Sequence, residues 1–131
     1  VDAMRDEGKE LHLPSGFRTL RMLTADDALG FAFSVVTTPG TVELDIWYKN
    51  HWEANHILSG SGTVTDRSSG ETWGLAPGSS YNVGPKDRHR LVMRHSVHVS
   101  IFSPPLRGDE VHDADGSYSP SGPVPPGPPN Y

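Results

Sequence analysis

Turn-forming residues recur along this chain at intervals too short for helices, and this spacing limits the possible folds more than any other feature. From Gly16 onward, nine strand-like runs alternate with clusters of glycine, proline and serine. The runs are 18–23, 31–38, 41–49, 53–58, 62–67, 72–75, 80–83, 89–94 and 98–102. No long segment carries the apolar period of a helix. The pattern therefore predicts an all-β protein, an antiparallel sandwich or barrel.

The chain length and the ends of the sequence indicate one domain. A chain of 131 residues is too short to give two domains a core each. Residues 1–15 are charged and lack periodicity, so we expect the barrel to occupy residues 16–118. Residues 119–131 hold six of the 12 prolines, a composition that predicts a disordered tail.

Charge and composition exclude several functional classes. The net charge of −5 argues against binding to nucleic acid. The absence of cysteine removes disulfide scaffolds, thiolate catalysis and cysteine-ligated metal sites. No apolar run approaches the length of a membrane span and no signal peptide is recognisable, so we expect a cytoplasmic protein without a membrane partner.

Alternation within the runs indicates which side chains face the interior. The expected inward sets are Val42, Leu44, Ile46 and Tyr48; Glu53, Asn55 and Ile57; and His89, Leu91 and Met93. Glu53 and His89 are thus polar groups where apolar ones are expected. Because a buried charge must be paired or bound to a metal, these two residues are the first functional candidates.

Two stretches resemble the motifs of the cupin superfamily, small jelly-roll barrels that hold a metal near the mouth. The positions that fit are Gly40, Glu53, Gly60, Gly78 and His89. Ile46 and Tyr48 stand where the first motif has histidines, while Gly84 and Lys86 replace the proline and glycine of the second. The resemblance implies a cupin jelly-roll barrel of short antiparallel strands.

A carboxylate and an imidazole with open positions suit a divalent iron, manganese or zinc ion. Two protein ligands hold a metal poorly, and Tyr81, at the start of the run before the second motif, is the candidate for a third. Each residue also has an ordinary structural explanation. Glu53 could be bonded to backbone, His89 could lie on the rim, and Tyr81 could belong to the core.

Four segments resemble the ectoine synthase family more specifically. They are YKNHWEA at 48–54, DRH at 87–89, FSPPL at 102–106 and GDEVHDADGSY at 108–118. The resemblance covers about residues 17–118 and implies a lyase of the hydro-lyase type. Such an enzyme closes N-γ-acetyl-L-2,4-diaminobutyrate to the compatible solute ectoine with loss of water. The resemblance also implies that the protein forms a homodimer. Apart from the second copy of the chain, the implied partner is the small-molecule substrate.

The same resemblance implies roles for individual residues. An iron(II) ion, or another divalent metal, would be held by Glu53, Tyr81 and His89. The implied substrate-binding residues are Phe17, Tyr48, His51, Phe102, Glu110 and His112. Of these, Tyr48, Glu110 and His112 are the candidate catalytic residues, and either Glu110 or His112 could be the base.

Departures from the family pattern leave other functions open. Phe17 stands where the family has tryptophan, so an indole N–H donor is missing. Asn55 and His56 replace a more apolar or aromatic pair, and we expect His95 and His98 to form a turn. The alternatives are a cupin paralogue that acts on or binds a related amino-acid derivative, a metal-dependent cupin dioxygenase, and a non-enzymatic ligand-binding cupin.

Overall fold

A computed structural model describes residues 9–131 of the chain. These residues form seven strands and one short 3-10 turn, Ala25–Asp27. The strands are β1 (Lys9–His12), β2 (Arg18–Leu23), β3 (Ala32–Ile46), β4 (Trp52–Asp66), β5 (Thr72–Leu75), β6 (Ser80–Val83) and β7 (His89–Ser103). Within this part of the chain, no helix is long and apolar enough to cross a membrane.

The strands form one antiparallel sheet in the order β1-β2-β3-β7-β4-β5, and β6 also pairs with β4. The first part of β4 pairs with β6, whereas its last part pairs with β5. On its other side, β4 pairs with β7 along most of its length. The predicted all-β jelly-roll barrel is therefore confirmed.

Three of the strands are longer than the sequence predicted. β3, β4 and β7 have 15 residues each, and each joins two of the predicted runs. The pairing shifts at Thr38/Thr41 in β3 and between Ile57 and Ser61 in β4, opposite His95 of β7. Pro39-Gly40 and the glycines at 60–62 are therefore bulges within strands rather than turns between them.

The turn expected at His95 and His98 is wrong, because a bulge lies there instead. His95 has a φ of 43°, but β7 continues through it and His98 lies buried inside the barrel. At the same level, Gly60 approaches the partner strand closely, since a Cβ there would lie 2.4 Å from the His95 carbonyl oxygen. The crowded backbone bends the sheet without ending the strands.

The two ends of the described chain contact the barrel. β1 lies inside the segment expected to precede the domain and pairs with β2, while residues 1–8 of that segment lie outside the described residues. The tail, for which the sequence predicted disorder, packs on Trp52. The Trp52 indole donates a hydrogen bond to the Pro125 carbonyl (2.8 Å), and its ring lies 4.5 Å from that of Tyr131.

Candidate active site

Inward-facing side chains enclose a cavity of about 30 Å³ in the barrel. Aromatic and polar groups from five strands and from the segment after β7 line it. The predicted site residues among them are Phe17, Tyr48, Glu53, Tyr81, Phe102 and His112. His51 and Glu110 lie outside this lining, and His89 lines an adjacent groove of about 530 Å³ together with Tyr81.

A row of polar side chains crosses the barrel wall through pairing between neighbouring strands. Its members, one from each of β2, β3, β7, β4 and β6, are Arg21, Ser34, Ser100, Asn55 and Tyr81. All five also line the cavity. The period of a strand thus brings residues far apart in sequence onto one surface.

Glu53 is held inside this wall by Asn55. The Asn55 amide donates a hydrogen bond to Glu53 Oε1 (2.7 Å), and the Ser100 hydroxyl donates one to Asn55 Oδ1 (2.7 Å). Burial raises the pKa of Glu53 to about 7, and hydrogen bonds from Asn55, Tyr48 and Ser100 oppose that rise. The carboxyl group is oriented by hydrogen bonds, yet no cationic side chain of residues 9–131 forms an ion pair with it.

His89 presents one ring nitrogen free of hydrogen bonds. Its Nδ1 lies 3.0 Å from the Asp87 carbonyl oxygen, which can only accept, so Nδ1 carries the proton. Nε2 is then the unprotonated nitrogen, and it is buried without a hydrogen-bond partner among the described residues. A backbone carbonyl that fixes the tautomer in this way is typical of a histidine that binds a metal through its other nitrogen.

Tyr81 connects the cavity to the groove, since it lines both. Burial raises the pKa of its phenol well above the usual value, and the negative charge of Glu53 raises it further. A divalent cation between these groups would favour the ionised forms of both. No cluster of three or more histidine, cysteine, aspartate or glutamate side chains suited to a metal occurs in residues 9–131. A site of one carboxylate, one phenol and one imidazole would not require such a cluster.

Glu110 is bound on several sides. Its carboxylate accepts hydrogen bonds from the backbone N–H groups of Arg107 (2.7 Å) and Gly108 (2.8 Å). Arg21 Nη1 lies 3.5 Å from its Oε1, and Arg21 Nη2 donates to its main-chain carbonyl at 2.9 Å. Burial raises the pKa of Glu110, but these hydrogen bonds and the Arg21 charge outweigh burial and lower it. Glu110 therefore anchors the segment after β7 to the barrel as an anion.

An aromatic cluster closes the cavity beneath this segment. The Tyr118 ring stacks on His112 at 4.6 Å and on Tyr48 at 5.3 Å, and meets Phe102 edge-on at 5.5 Å. His112 Nε2 lies 3.1 Å from the Tyr48 hydroxyl, while its Nδ1 is buried without a hydrogen-bond partner in the described chain. Burial, together with the Arg21 charge, lowers the pKa of His112 to about 4, so the ring is neutral at neutral pH.

His51 lies one layer behind the cavity and fixes the covering segment. It is completely buried, packs edge-on against Phe102 at 6.0 Å, and its Nε2 lies 2.9 Å from the Ser121 hydroxyl. The Asn50 amide donates to the Tyr118 carbonyl at 2.9 Å. The loop between β3 and β4 thus holds the segment over the barrel.

Several site residues escaped the sequence reasoning. Arg21, Ser100 and Tyr118 were assigned no role, and His98 was expected only in a turn, although all four line the cavity. Alternation did place Asn55 beside Glu53, but it could not reveal the hydrogen bond between them. Alternation gave no signal for Arg21, because the apolar side chains of Leu20 and Met22 lie on the opposite face of the run 18–23.

The chain matches known proteins along most of its length. The family model described as "Ectoine synthase" matches residues 2–122. The L-ectoine synthase of Sphingopyxis alaskensis is 40% identical over 104 residues, which cover 79% of this chain and 76% of that protein. The L-ectoine synthase of Hyphomonas neptunium is 37% identical over 106 residues, with 79% and 78% covered.

Solved structures agree with these sequence matches. The crystal structure of ectoine synthase from P. lautus has a TM-score of 0.68 at 29% identity, covering 81% of this chain and 75% of that one. KdgF from Halomonas sp. matches with a TM-score of 0.64 at 17% identity, covering 77% and 92%, a likeness of fold alone. Because the family match spans nearly the whole barrel and its covering segment, the chain belongs to the ectoine synthase family.

Proposed function

We propose that this protein is an ectoine synthase, which closes N-γ-acetyl-L-2,4-diaminobutyrate to ectoine with loss of water. The observation that carries the proposal is the set Glu53, Tyr81 and His89, three buried or half-buried donor groups arranged around the cavity and its groove. Family membership supports the same reaction.

The donor groups fit a divalent metal, and we propose iron(II). His89 Nε2 is buried without a hydrogen-bond partner in the described residues, and Glu53 is a buried carboxylate. Carboxylate, phenolate and imidazole together would hold the ion. When bound, it supplies a Lewis acid that polarises the amide carbonyl without redox change.

The chain's own residues position the substrate and handle its protons. Arg21 lines the cavity. Its Nη1 is ion-paired with Glu110 at 3.5 Å but forms no hydrogen bond with residues 9–131, so it can still donate one to the substrate carboxylate. Ring closure requires the α-amine to be neutral. The enclosure holds the amine near the side-chain carbonyl, so that attack becomes intramolecular and oriented.

His112 is a better candidate for the base than Glu110. Its Nδ1 is buried without a partner in the described chain, whereas both Glu110 oxygens accept backbone hydrogen bonds. The burial that lowers the pKa of His112 also lowers that of an ammonium group entering the same cavity. His112 would accept the proton of the α-ammonium and pass it to the carbonyl oxygen. After attack, a second proton from the same nitrogen would follow by the same route, so that the oxygen leaves as water.

The cavity also sets a requirement for substrate access. A volume of about 30 Å³ accommodates on the order of one water molecule. We infer that Tyr118 and the segment around it move away when substrate enters, and then return to exclude water.

The outer face of the same sheet supports the expected homodimer. It carries Leu58 and Ile101, which are 51% and 38% exposed, beside the half-buried Val99. Apolar side chains from neighbouring strands form a patch of the kind that often marks an interface. Replacement of Ile101 by lysine should yield a monomer in analytical ultracentrifugation, whereas the same change at the exposed Glu71 should not.

The test of the function is an assay of metal-free protein with N-γ-acetyl-L-2,4-diaminobutyrate, with and without iron(II), followed by chromatography for ectoine. Iron-dependent formation of ectoine is the expected result. No product from a folded, iron-loaded sample would contradict the proposal.

A related acyl-diaminoalkanoate is the second candidate substrate. Phe17 favours it, because this residue lines the cavity and lacks the N–H that tryptophan would donate. Parallel assays with longer acyl chains and with a shorter diamino acid distinguish the two candidates by their kcat/KM values.

A further inference from the structure

His98 is a buried histidine in the cavity wall to which the proposed mechanism gives no task. It lies on β7 opposite Val36 of β3, is 4% exposed, and lines the cavity. Its ring meets Phe17 edge-on at a centroid distance of 6.3 Å. Its Nδ1 is buried without a hydrogen-bond partner in residues 9–131.

An unpartnered ring nitrogen in this place is costly for folding. A buried polar group without a hydrogen bond destabilises the folded state, because it has given up its hydrogen bonds to water. Val36 shows that an apolar side chain fits at the directly paired position on the neighbouring strand. A histidine that lines an interior cavity and has a ring nitrogen without a partner is therefore explained best by a ligand that enters the cavity.

The surroundings of His98 indicate what part of a ligand it would contact. Burial lowers the pKa of His98 to about 4, and no carboxylate contributes to that shift. The ring is therefore neutral, with one donor and one acceptor nitrogen. Ser34, whose hydroxyl is also buried without a partner in the described residues, lines the same cavity. Neutral donors and acceptors of this kind suit an amide rather than a carboxylate or an ammonium group.

We propose that His98 binds substrate by accepting, at its unprotonated ring nitrogen, a hydrogen bond from the side-chain amide N–H of an N-acylated diamino acid at the Phe17 end of the cavity. This inference rests on the proposed function and adds a specificity-determining residue to it. It also gives Phe17 a role as the apolar surface that holds the His98 ring in place.

The test compares two substitutions of similar size. His98→Leu removes both ring nitrogens, whereas His98→Gln keeps a donor and an acceptor. We expect His98→Leu to raise the Kd for N-γ-acetyl-L-2,4-diaminobutyrate about tenfold in calorimetry on metal-free protein, since one hydrogen bond is lost. His98→Gln should restore most of that affinity. His12→Leu, which changes an exposed histidine on β1, is the matched control.

A second probe separates this proposal from the proposed function. O-acetyl-L-homoserine has an ester oxygen in place of the amide N–H, and we expect His98→Leu to bind this ester as wild-type protein does. Unchanged affinity of His98→Leu for the amide would overturn the proposal, as would equal losses in His98→Leu and His98→Gln. These binding results do not require turnover, so failure of wild-type protein to form ectoine would count against the function alone.

Discussion

The wall of the barrel and the segment that covers it are held by different forces. In the wall, Glu53 and Asn55 lie on β4 between two partner strands, so backbone pairing fixes their positions on both sides. The covering segment, residues 104–131, contains no strand and is held by side chains such as Glu110, Tyr118 and Ser121. A site built in this way keeps its chemical groups rigid and leaves its cover free to move.

The largest effect should come from removing a proposed ligand in the wall. His89→Ala should lower turnover by about a thousandfold or more and abolish iron binding, because two ligands do not hold the ion. Activity assays and metal analysis of purified protein check this. His12→Ala, which changes an exposed histidine on β1, serves as the control, and full activity in His89→Ala would remove His89 from the site.

Next comes the hydrogen bond that orients Glu53. Asn55→Val should weaken iron binding about 10–100-fold while the protein remains folded, because the carboxylate loses the donor that fixes its position. Iron titration followed by calorimetry measures the change. Asn55→Asp is not a conservative control, since it adds a second buried carboxylate. Asn55→Gln is the appropriate comparison, and equal iron affinity in all variants would contradict a positioning role.

Acid should weaken the wall through His98. The pKa of His98 is about 4 in the folded protein, whereas an imidazole in the unfolded chain has a pKa of 6.5. Between these two values the unfolded chain binds a proton that the folded chain does not. The corresponding stability is present above pH 6.5 and is lost as the pH falls toward 4. At pH 5 the loss amounts to about 2 kcal/mol. Urea unfolding at pH 7 and pH 5 should show a smaller decrease for His98→Leu than for wild type, and parallel decreases would exclude His98 as the cause.

The smallest effect is expected at the end of the cover. Trp52 holds residues 119–131 through Pro125 and Tyr131. Trp52→Ala should therefore speed hydrogen exchange in the tail and change KM several-fold, with iron affinity unchanged. Phe31→Ala, which removes an exposed aromatic ring, is the control. Protection of the tail equal to that in wild type would show that Trp52 does not hold it.

The sequence predicted the wall better than the cover, for a physical reason. Alternation fixes which strand residues face inward, so Glu53, Asn55 and His89 were placed on the correct faces. The cover has no period, and the contacts of Glu110 and Tyr118 depend on Arg21 and Tyr48, far away in sequence. The continuity of β3 through Pro39-Gly40 and of β4 through Gly60-Ser61-Gly62 was also missed, because glycine and proline mark bulges as readily as turns.

One consequence follows from the opposite faces of β4. Glu53 and Asn55 point into the cavity, while Ala54 and His56 point outward, so a shift of a single residue would exchange the two sets. In evolution, residues 53–57 can therefore vary by substitution but hardly by insertion or deletion. The exposed turn at 67–71 has no such constraint and can change in length. Divergence within this family should therefore change the length of this turn long before it changes which residues of β4 face the cavity.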